Sequence, residues 1–362
     1  MLIVDAHQDL AWNMLTFGRD YNRSATETRL QEQGSLAQAE NGDTLLGWPD
    51  YQRGQVAMVF ATLFCAPERR RLGEWDTQSY RTPAQARRLY SAQLDAYHRL
   101  IENHPDHFQL VDRKSRLDDV IAHWENEQHE EHPVGLVILM EGAEGIREPA
   151  ELENWWQRGV RLIGPAWIGT RFCGGTHEPG PLTQQGFALL EGMADFGFTL
   201  DLSHMDEQAA LQALDVYPAP IVASHANALA LLKSSDSNRH LSDRVLNGLI
   251  ERDGIVGLVP FNRFLIAGWS PEDGRQVVTL DRLVAQIDYV CQLAGDARHA
   301  GIGSDFDGGF GLQSAPAGID TIADLQKLTP LLAEKGYTQN DIAAILGGNW
   351  LSLLKRTLPH QP

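Results

Sequence analysis

The chain has 362 residues, of which 43% are hydrophobic, and it carries a formal net charge of −18. It is long enough to bury a sizeable core, and its acidic balance without a dense basic cluster argues against a nucleic-acid partner. Cys65, Cys173 and Cys291 lack the spacing of a cysteine-rich zinc site and suggest no disulfide framework. No apolar run reaches the roughly 18 residues of a membrane span, and no cationic leader opens the chain, so we expect a cytoplasmic protein without a membrane partner.

The first ten residues read MLIVDAHQDL, an apolar run followed by Asp5, His7 and Asp9. Because alternate residues of a strand point to the same side, His7 and Asp9 are expected to project together from the end of one strand. An imidazole and a carboxylate on a shared face suit a divalent ion such as Zn²⁺. Taken alone, the pattern fits equally well a surface strand with two solvated polar residues.

The rest of the chain alternates between apolar runs and segments of helical periodicity. Residues 11–54 are polar and irregular, and they predict a long loop or short helices. Seven further strands are predicted at 55–64, 134–140, 160–167, 198–203, 220–224, 254–260 and 300–304. Helices are predicted at 83–103, 115–128 with Ser115 as its N-cap, 183–196, 206–214, 241–252, 280–294, 321–335 and 338–355. A Gly-rich loop is expected over 171–177, and a solvated face around His129 and His132.

Eight strands separated mostly by helices is the element count of an α/β protein with a (β/α)₈ TIM barrel, here of the metal-dependent hydrolase type. No Gly/Ser linker, low-complexity segment or short repeat interrupts the chain. We therefore expect one barrel domain over residues 1–362.

Residues of the metal-binding types stand where five of the predicted strands end. In a TIM barrel the carboxyl ends of the strands face a common pocket. A histidine after a single strand is more often a hydrogen-bonded structural residue than a ligand. Six such residues at equivalent places favour a metal centre instead. They are His7, Asp9, Glu141, His204, His225 and Asp305.

The charges of these residues favour two cations rather than one. Two divalent cations are balanced by the carboxylates of Asp9, Glu141 and Asp305 together with one bridging hydroxide, and a partly buried site tolerates a neutral sum. Some two-metal barrels bridge their ions with a carboxylated lysine, but no lysine stands at the end of a predicted strand in this chain. Glu141 is therefore the expected bridge. A bridged metal pair supplies hydroxide near neutral pH, and Asp305 can pass the water's proton to a leaving amine. This predicts hydrolysis of an amide, or of a related ester or lactam.

Arg239 lies in the polar loop at 234–240, after the sixth predicted strand. A guanidinium in this place could bind a substrate carboxylate through two parallel hydrogen bonds. A surface arginine is the other interpretation. The Gly-rich stretch at 301–309 fits neither the dinucleotide-binding pattern nor the P-loop pattern, so no phosphate loop is expected there.

Taken together, these segments resemble the membrane (renal) dipeptidase family of zinc metallopeptidases, within the amidohydrolase superfamily. The resemblance spans nearly the whole chain and follows the family's order. The matching segments are DAHQDL at 5–10, EG at 141–142, PLTQQGFALLEGMADFGFTLDLSHMD at 181–206, ASHANA at 223–228, NRHLSDRVL at 238–246, GIGSDFDG at 301–308 and ILGGNWLSLL at 345–354.

The resemblance implies a (β/α)₈ barrel that holds two Zn²⁺ ions. It implies that His7 and Asp9 hold one ion, that His204 and His225 hold the other, and that Glu141 bridges them. It further implies the roles of two substrate-binding residues: Arg239 would bind the substrate's carboxylate, and Asp305 would transfer the proton and bind the substrate's amino group.

Two positions depart from the family pattern. Trp167 stands where the family usually has a histidine that binds the substrate, and an indole can donate one hydrogen bond but carries no charge. Asn262 stands where a tyrosine is common. These changes leave the metal ligands intact and bear on the substrate.

The expected function is therefore that of a metallo-dipeptidase, in which metal-bridged hydroxide attacks a dipeptide, often one with a C-terminal D-residue. One alternative is the same chemistry on N-acyl amino acids, lactones or other small carboxylate-bearing amides, accommodated beside Trp167. A second alternative is a zinc-binding homologue without activity. The expected partner is a small dipeptide or amide, and family members are often homodimers.

Overall fold

A computed structural model describes residues 1–126, 128–232, 235 and 237–361. Glu127, which falls within the helix predicted over 115–128, lies outside the described residues. So do Lys233, Ser234 and Asp236, in or beside the polar loop that contains Arg239.

Eight parallel strands form the barrel. They are β1 Ile3–Gln8, β2 Val56–Phe64, β3 Val134–Glu141, β4 Val160–Gly164, β5 Thr199–Asp201, β6 Ile221–Val222, β7 Val256–Leu258 and β8 Ala300–Ile302. Their order in the sheet is β6-β5-β4-β3-β2-β1-β8-β7, and a parallel bridge between Ala223 and Val256 joins the two ends. The prediction of a TIM barrel is confirmed.

The barrel strands are buried along their whole length, which explains why they read as continuous apolar runs. All nine residues of β2 and all eight residues of β3 are buried. Parallel strands that are covered on both faces need apolar side chains on both faces. The last residue of β3, Glu141, is the polar exception, and its buried carboxylate indicates a functional site at this end of the barrel.

Helices surround the barrel and begin where the sequence supplies capping residues. The long helix Pro83–Asn103 begins with proline after Thr82, whose hydroxyl accepts a hydrogen bond from the backbone of Gln85. Within the described residues, no helix combines the length and the apolar character that a membrane span requires. The other α-helices are Leu10–Thr16, Ala25–Glu32, Leu36–Asn41, Trp48–Gly54, Lys114–Glu125, Leu152–Gln157, Gln184–Phe196, Glu207–Val216, Asp243–Glu251, Asn262–Leu265, Leu280–Ala294, Leu328–Glu334, Gln339–Ala343 and Asn349–Thr357.

Two local predictions were wrong, and one short strand was missed. The Gly-rich segment after β4 is not a loop but a hairpin of Cys173–Gly175 and Glu178–Leu182. A Cβ on Gly174 would lie 2.1 Å from the backbone nitrogen of Gly180, so these glycines permit a close strand pairing rather than a flexible connection. Ser115 is not an N-cap, because the helix already begins at Lys114. A short strand, Phe108–Leu110, was not predicted and pairs with β3 outside the barrel path.

The barrel closes tightly where the chain leaves β6. A Cβ on Gly257 or on Gly303 would lie 1.9 Å from the backbone oxygen of Ser224. The two glycines therefore let three chain segments approach more closely than any other residue would allow. This packing fixes the backbone that carries Ser224 and His225 into the mouth of the barrel.

We expect Gly303→Ala to destabilise the protein by about 1–3 kcal/mol, because the added methyl group overpacks a rigid backbone contact. Denaturant unfolding would measure the change. Gly180→Ala is the matched control, since its Cβ would meet its nearest neighbour at an ordinary 3.8 Å. Equal stability of the two variants would contradict the proposed packing constraint.

Candidate metal centre

The six candidate residues predicted at strand ends meet at one mouth of the barrel, with Glu141 in the middle. Its Oε1 lies 3.0 Å from Nε2 of His204 and 3.5 Å from Nε2 of His225, whereas its Oε2 lies 3.7 Å from Nε2 of His7. The same His7 nitrogen lies 3.8 Å from Asp9 Oδ2. Thus the two oxygens of one carboxylate face different imidazoles.

The cluster contains three triads, and within each triad the three ligand atoms lie within 4.8 Å of one another. Two of the triads share Glu141 and divide the remaining ligands between two positions. The third includes Asp305, whose Oδ1 lies 3.9 Å from His7 Nε2. The triads are His7 with Asp9 and Glu141, Glu141 with His204 and His225, and His7 with His225 and Asp305.

Unpartnered atoms in the cluster fit the binding of cations. His7 Nε2 and Asp9 Oδ1 are buried and have no hydrogen-bond partner among the described residues. His204 Nε2 and His225 Nε2 face each other at 3.0 Å. A buried polar atom without a partner costs about 1–3 kcal/mol, which a bound cation would relieve. Imidazole nitrogens and carboxylate oxygens are the donors that zinc accepts.

Ser224 orients two of the imidazoles from behind. Its hydroxyl donates to Oδ2 of Asp201 at 2.5 Å, so its lone pairs face Nδ1 of His225 at 2.8 Å and Nδ1 of His7 at 3.3 Å. Both rings then carry their proton on Nδ1 and present Nε2 to the centre. Hydrogen bonds of this kind fix the tautomer of metal-binding histidines.

His204 is oriented separately. Its Nδ1 lies 3.0 Å from the hydroxyl of Thr176, in the hairpin after β4. Its backbone adopts the left-handed conformation, with φ of 67°, and Asp305 does the same with φ of 57°. This region is uncommon for residues other than glycine and is found disproportionately at functional sites.

Buried charge shifts the protonation of the cluster. Burial opposes the charge of His7, but the carboxylates of Glu141, Asp9 and Asp305 outweigh it and raise the pKa of His7 to about 10. Burial together with the positive charge of Arg239 lowers the pKa of His204 to about 4. The carboxylates of the site therefore favour positive charge in their midst.

The pKa of the Asp305 carboxyl group lies near neutrality. Burial and the negative charge of Glu141 raise its pKa to about 7, against the opposing charges of His7 and Arg239. A group with a pKa near the ambient pH exchanges protons readily. Its loop is held in place by Asn13, whose side-chain amide donates to the backbone oxygens of both Asp9 and Asp307.

The cluster opens into a cavity of about 390 Å³, which we call the metal-side cavity. Its apolar wall includes Trp12, Phe64 and Trp167. The ring of Trp167 packs edge-on against Phe64 at 5.0 Å and lies 6.4 Å from the ring of His204. Trp167 therefore stands beside the site, as its position in the sequence predicts.

Arg239 lies at the inner wall of the same cavity and is almost fully buried. Its Nη2 donates to the backbone oxygen of His225 at 2.6 Å, which fixes the guanidinium. Its Nε and Nη1 are buried without a partner among the described residues. Each of these unpaired donors is available for a charge-assisted hydrogen bond to a carboxylate oxygen.

Asn262 does not line the cavity. It is fully buried, and its amide donates to the backbone oxygen of Ala315 at 3.2 Å. The next residue, Arg263, lines the cavity instead. Sequence reasoning missed Arg263, and it also missed the support that Ser224 and Asp201 give from behind. Both supporting residues stand in the motif segments, one residue before His225 and three before His204.

We expect Ser224→Ala to weaken divalent-metal retention by roughly 10- to 100-fold, since it frees the rings of both His7 and His225. Thr176→Val is the informative comparison, because it frees only His204. Competition with a chelator would measure both losses. A Ser224→Ala variant that retains metal as tightly as the unmodified protein would refute the orienting role.

The chain is similar in sequence to known proteins. The sequence model described as Membrane dipeptidase (Peptidase family M19) matches residues 1–359. An uncharacterized protein in the pqqA 5′ region of Klebsiella pneumoniae is 34% identical, over 62% of this chain and 83% of its own length. Dipeptidase ataJ of Aspergillus terreus is 26% identical, over 90% of this chain and 80% of its own length.

The fold also matches a solved structure. A metallo peptidase from Rhodobacter sphaeroides, liganded with a phosphinate mimic of the dipeptide L-Ala-D-Ala, superposes with a TM-score of 0.78 over 99% of each chain, at 23% identity. The family match confirms the resemblance found in the sequence and the prediction of a dipeptidase-class enzyme with clusters able to bind metal. The chain belongs to the membrane dipeptidase family, Peptidase family M19.

Proposed function

We propose that the protein is a binuclear zinc dipeptidase. One observation carries the proposal: Glu141 directs one carboxylate oxygen to His204 and His225 and the other to His7. A carboxylate that serves two neighbouring positions is suited to bridge a pair of cations. His7 and Asp9 would complete one position, and His204 and His225 the other.

The net charge of the cluster supports two cations rather than one. Asp9, Glu141 and Asp305 contribute three negative charges within a few ångströms of one another. Together with one hydroxide they would balance the four positive charges of two divalent cations, while the charge of Arg239 would be balanced by the substrate's carboxylate. Charge concentrated in a buried site is tolerated only when it is compensated.

Substrate binding follows from the polar groups that face the cavity. The guanidinium of Arg239, with Nε and Nη1 free to donate, would bind the carboxylate of a dipeptide's C-terminal residue through one of its two edges. The carboxylate of Asp305 would receive the substrate's amino group at the other end of the molecule. A ligand held at both ends has its peptide bond confined near Glu141, and such positioning alone contributes substantially to catalysis.

When bound, the cations would lower the pKa of water and polarise the scissile carbonyl. Asp305 would take up the water's proton at its carboxylate and give it to the departing amine. Trp167 cannot act as the charged donor that a histidine provides at this position, and it would instead shield the site from water through its contact with Phe64. We also propose that substrates with a C-terminal D-residue are accepted, in line with the dipeptide mimic bound by the Rhodobacter sphaeroides protein.

A substrate panel with zinc-loaded protein tests the proposal. We expect about two zinc ions per chain, cleavage of L,L- or L,D-dipeptides, and loss of cleavage when a chelator removes the metal. N-acyl amino acids and lactones serve as the comparison set, because the apolar surface of Trp167 would suit an acyl group. Turnover of the comparison set alone would replace the dipeptidase assignment, and zinc binding with no turnover of any substrate would indicate an inactive homologue.

We expect Glu141→Gln to lose both cations and at least about a thousandfold in kcat/KM, since an amide supplies one neutral oxygen instead of two charged ones. Zinc content by elemental analysis and kcat/KM for one dipeptide are the two measurements. Glu144→Gln is the matched control, because that nearby buried glutamate instead accepts a hydrogen bond from the backbone of Arg171. Full turnover by Glu141→Gln would rule out the bridging role.

A further inference from the structure

A second cavity, of about 580 Å³, adjoins the metal-side cavity. The two share a boundary formed by six residues, among them Trp167, His204, Arg239 and Arg263. Because Arg239 lies on this boundary, a carboxylate bound to it stands at the junction between the two spaces. We call the second space the basic cavity.

Acidic and basic side chains are segregated between the two cavities. Asp9, Glu141 and Asp305 line the metal-side cavity. The basic cavity is lined by three arginines and three histidines, and no Asp or Glu lines it among the residues that the structure describes. The chain as a whole has 48 acidic residues and 30 Lys and Arg, so a basic cavity wall differs in charge from the chain's overall composition.

Arg70 and Arg263 supply positive charge that the proposed chemistry does not use. The acid that pairs with Arg70, Glu178, is held by Arg69 through two hydrogen bonds of 3.1 and 2.8 Å. Arg70 lies further from the same carboxylate, with its Nε 3.6 Å from Glu178 Oε1. Arg263 forms no ion pair within the described part of the chain. Two guanidiniums therefore face a cavity that continues directly from the carboxylate-binding Arg239.

We propose that the basic cavity binds an acidic side chain on the C-terminal residue of the substrate, so that dipeptides ending in Asp or Glu are preferred. This inference rests on the proposed dipeptidase function. With its α-carboxylate on Arg239, the C-terminal residue directs its side chain past the boundary, towards Arg263 and Arg70. A guanidinium recognises a carboxylate by paired, charge-assisted hydrogen bonds, and the short stem of Asp or Glu fits well within the cavity.

The experiment compares substrates that differ in one charge. Zinc-loaded protein would be assayed with L-Ala-Glu and L-Ala-Gln, each with the C-terminal residue in the L and the D form. Glu and Gln have nearly the same shape, so the ratio of their kcat/KM values isolates the charge. We expect the Glu substrate to be preferred at least roughly fivefold, and the preference to shrink with added salt because the arginines are partly exposed to solvent.

Variants assign the preference to the basic cavity. Arg263→Met keeps the apolar stem and removes the charge, and it is expected to bring the Glu/Gln ratio close to one. Arg244→Met removes the same charge from an exposed helix position outside both cavities, so its ratio should stay that of the unmodified protein. Arg263→Glu should invert the preference and favour L-Ala-Lys over L-Ala-Glu.

The outcomes separate this inference from the function on which it rests. Cleavage of the Glu and Gln substrates with equal kcat/KM would overturn the acidic preference while leaving the dipeptidase assignment intact. A preference that survives in both Arg263→Met and Arg70→Met would likewise overturn the role of the basic cavity. Absence of cleavage of every dipeptide would overturn the proposed function itself, and the inference with it.

Discussion

The contact of the Glu141 carboxylate with three imidazoles is the interaction on which the rest of the site depends. It stands on the last residue of β3, in the middle of the barrel sheet, so both of its oxygens reach ligands from other strands. The positions of His7, His204 and His225 follow from where their own strands end. The barrel thus determines the distances within the centre, and Glu141 joins its two halves.

The surroundings of this carboxylate are built to hold charge in a buried place. Asp201 and Ser224 set the orientation of two imidazoles from behind, and Thr176 does so for His204. Gly257 and Gly303 make room for the backbone oxygen of Ser224. A packing constraint in the barrel wall and the tautomer of two histidines are therefore parts of one arrangement.

Much of this could be predicted from the sequence, because the barrel turns a simple linear pattern into a spatial one. Apolar runs mark buried strands, and the polar residues after them must face the same mouth. The bringing together of His7, Glu141 and Asp305 follows from that rule alone. Their roles as ligands and proton carrier stay predictions, as do the single domain over 1–362, the cytoplasmic location and the homodimer.

What could not be predicted depends on contacts between distant segments. The hairpin after β4 exists because Gly174 and Gly180 approach closely, which no local pattern reveals. Asn262 is buried while its neighbour Arg263 lines the cavity. The two are the first residues of a short helix, and the sequence does not show at which residue that helix begins. Ser224 orients two imidazoles, those of His7 and His225, that are 218 residues apart in the chain.

One small contact has a consequence for how the protein is made. The amide of Asn13 donates to the backbone oxygen of Asp9 and to that of Asp307, which lies 294 residues after Asn13 in the chain. During synthesis the first of these loops leaves the ribosome long before the second. The loop after β1 therefore takes its final position only after almost the entire polypeptide has emerged.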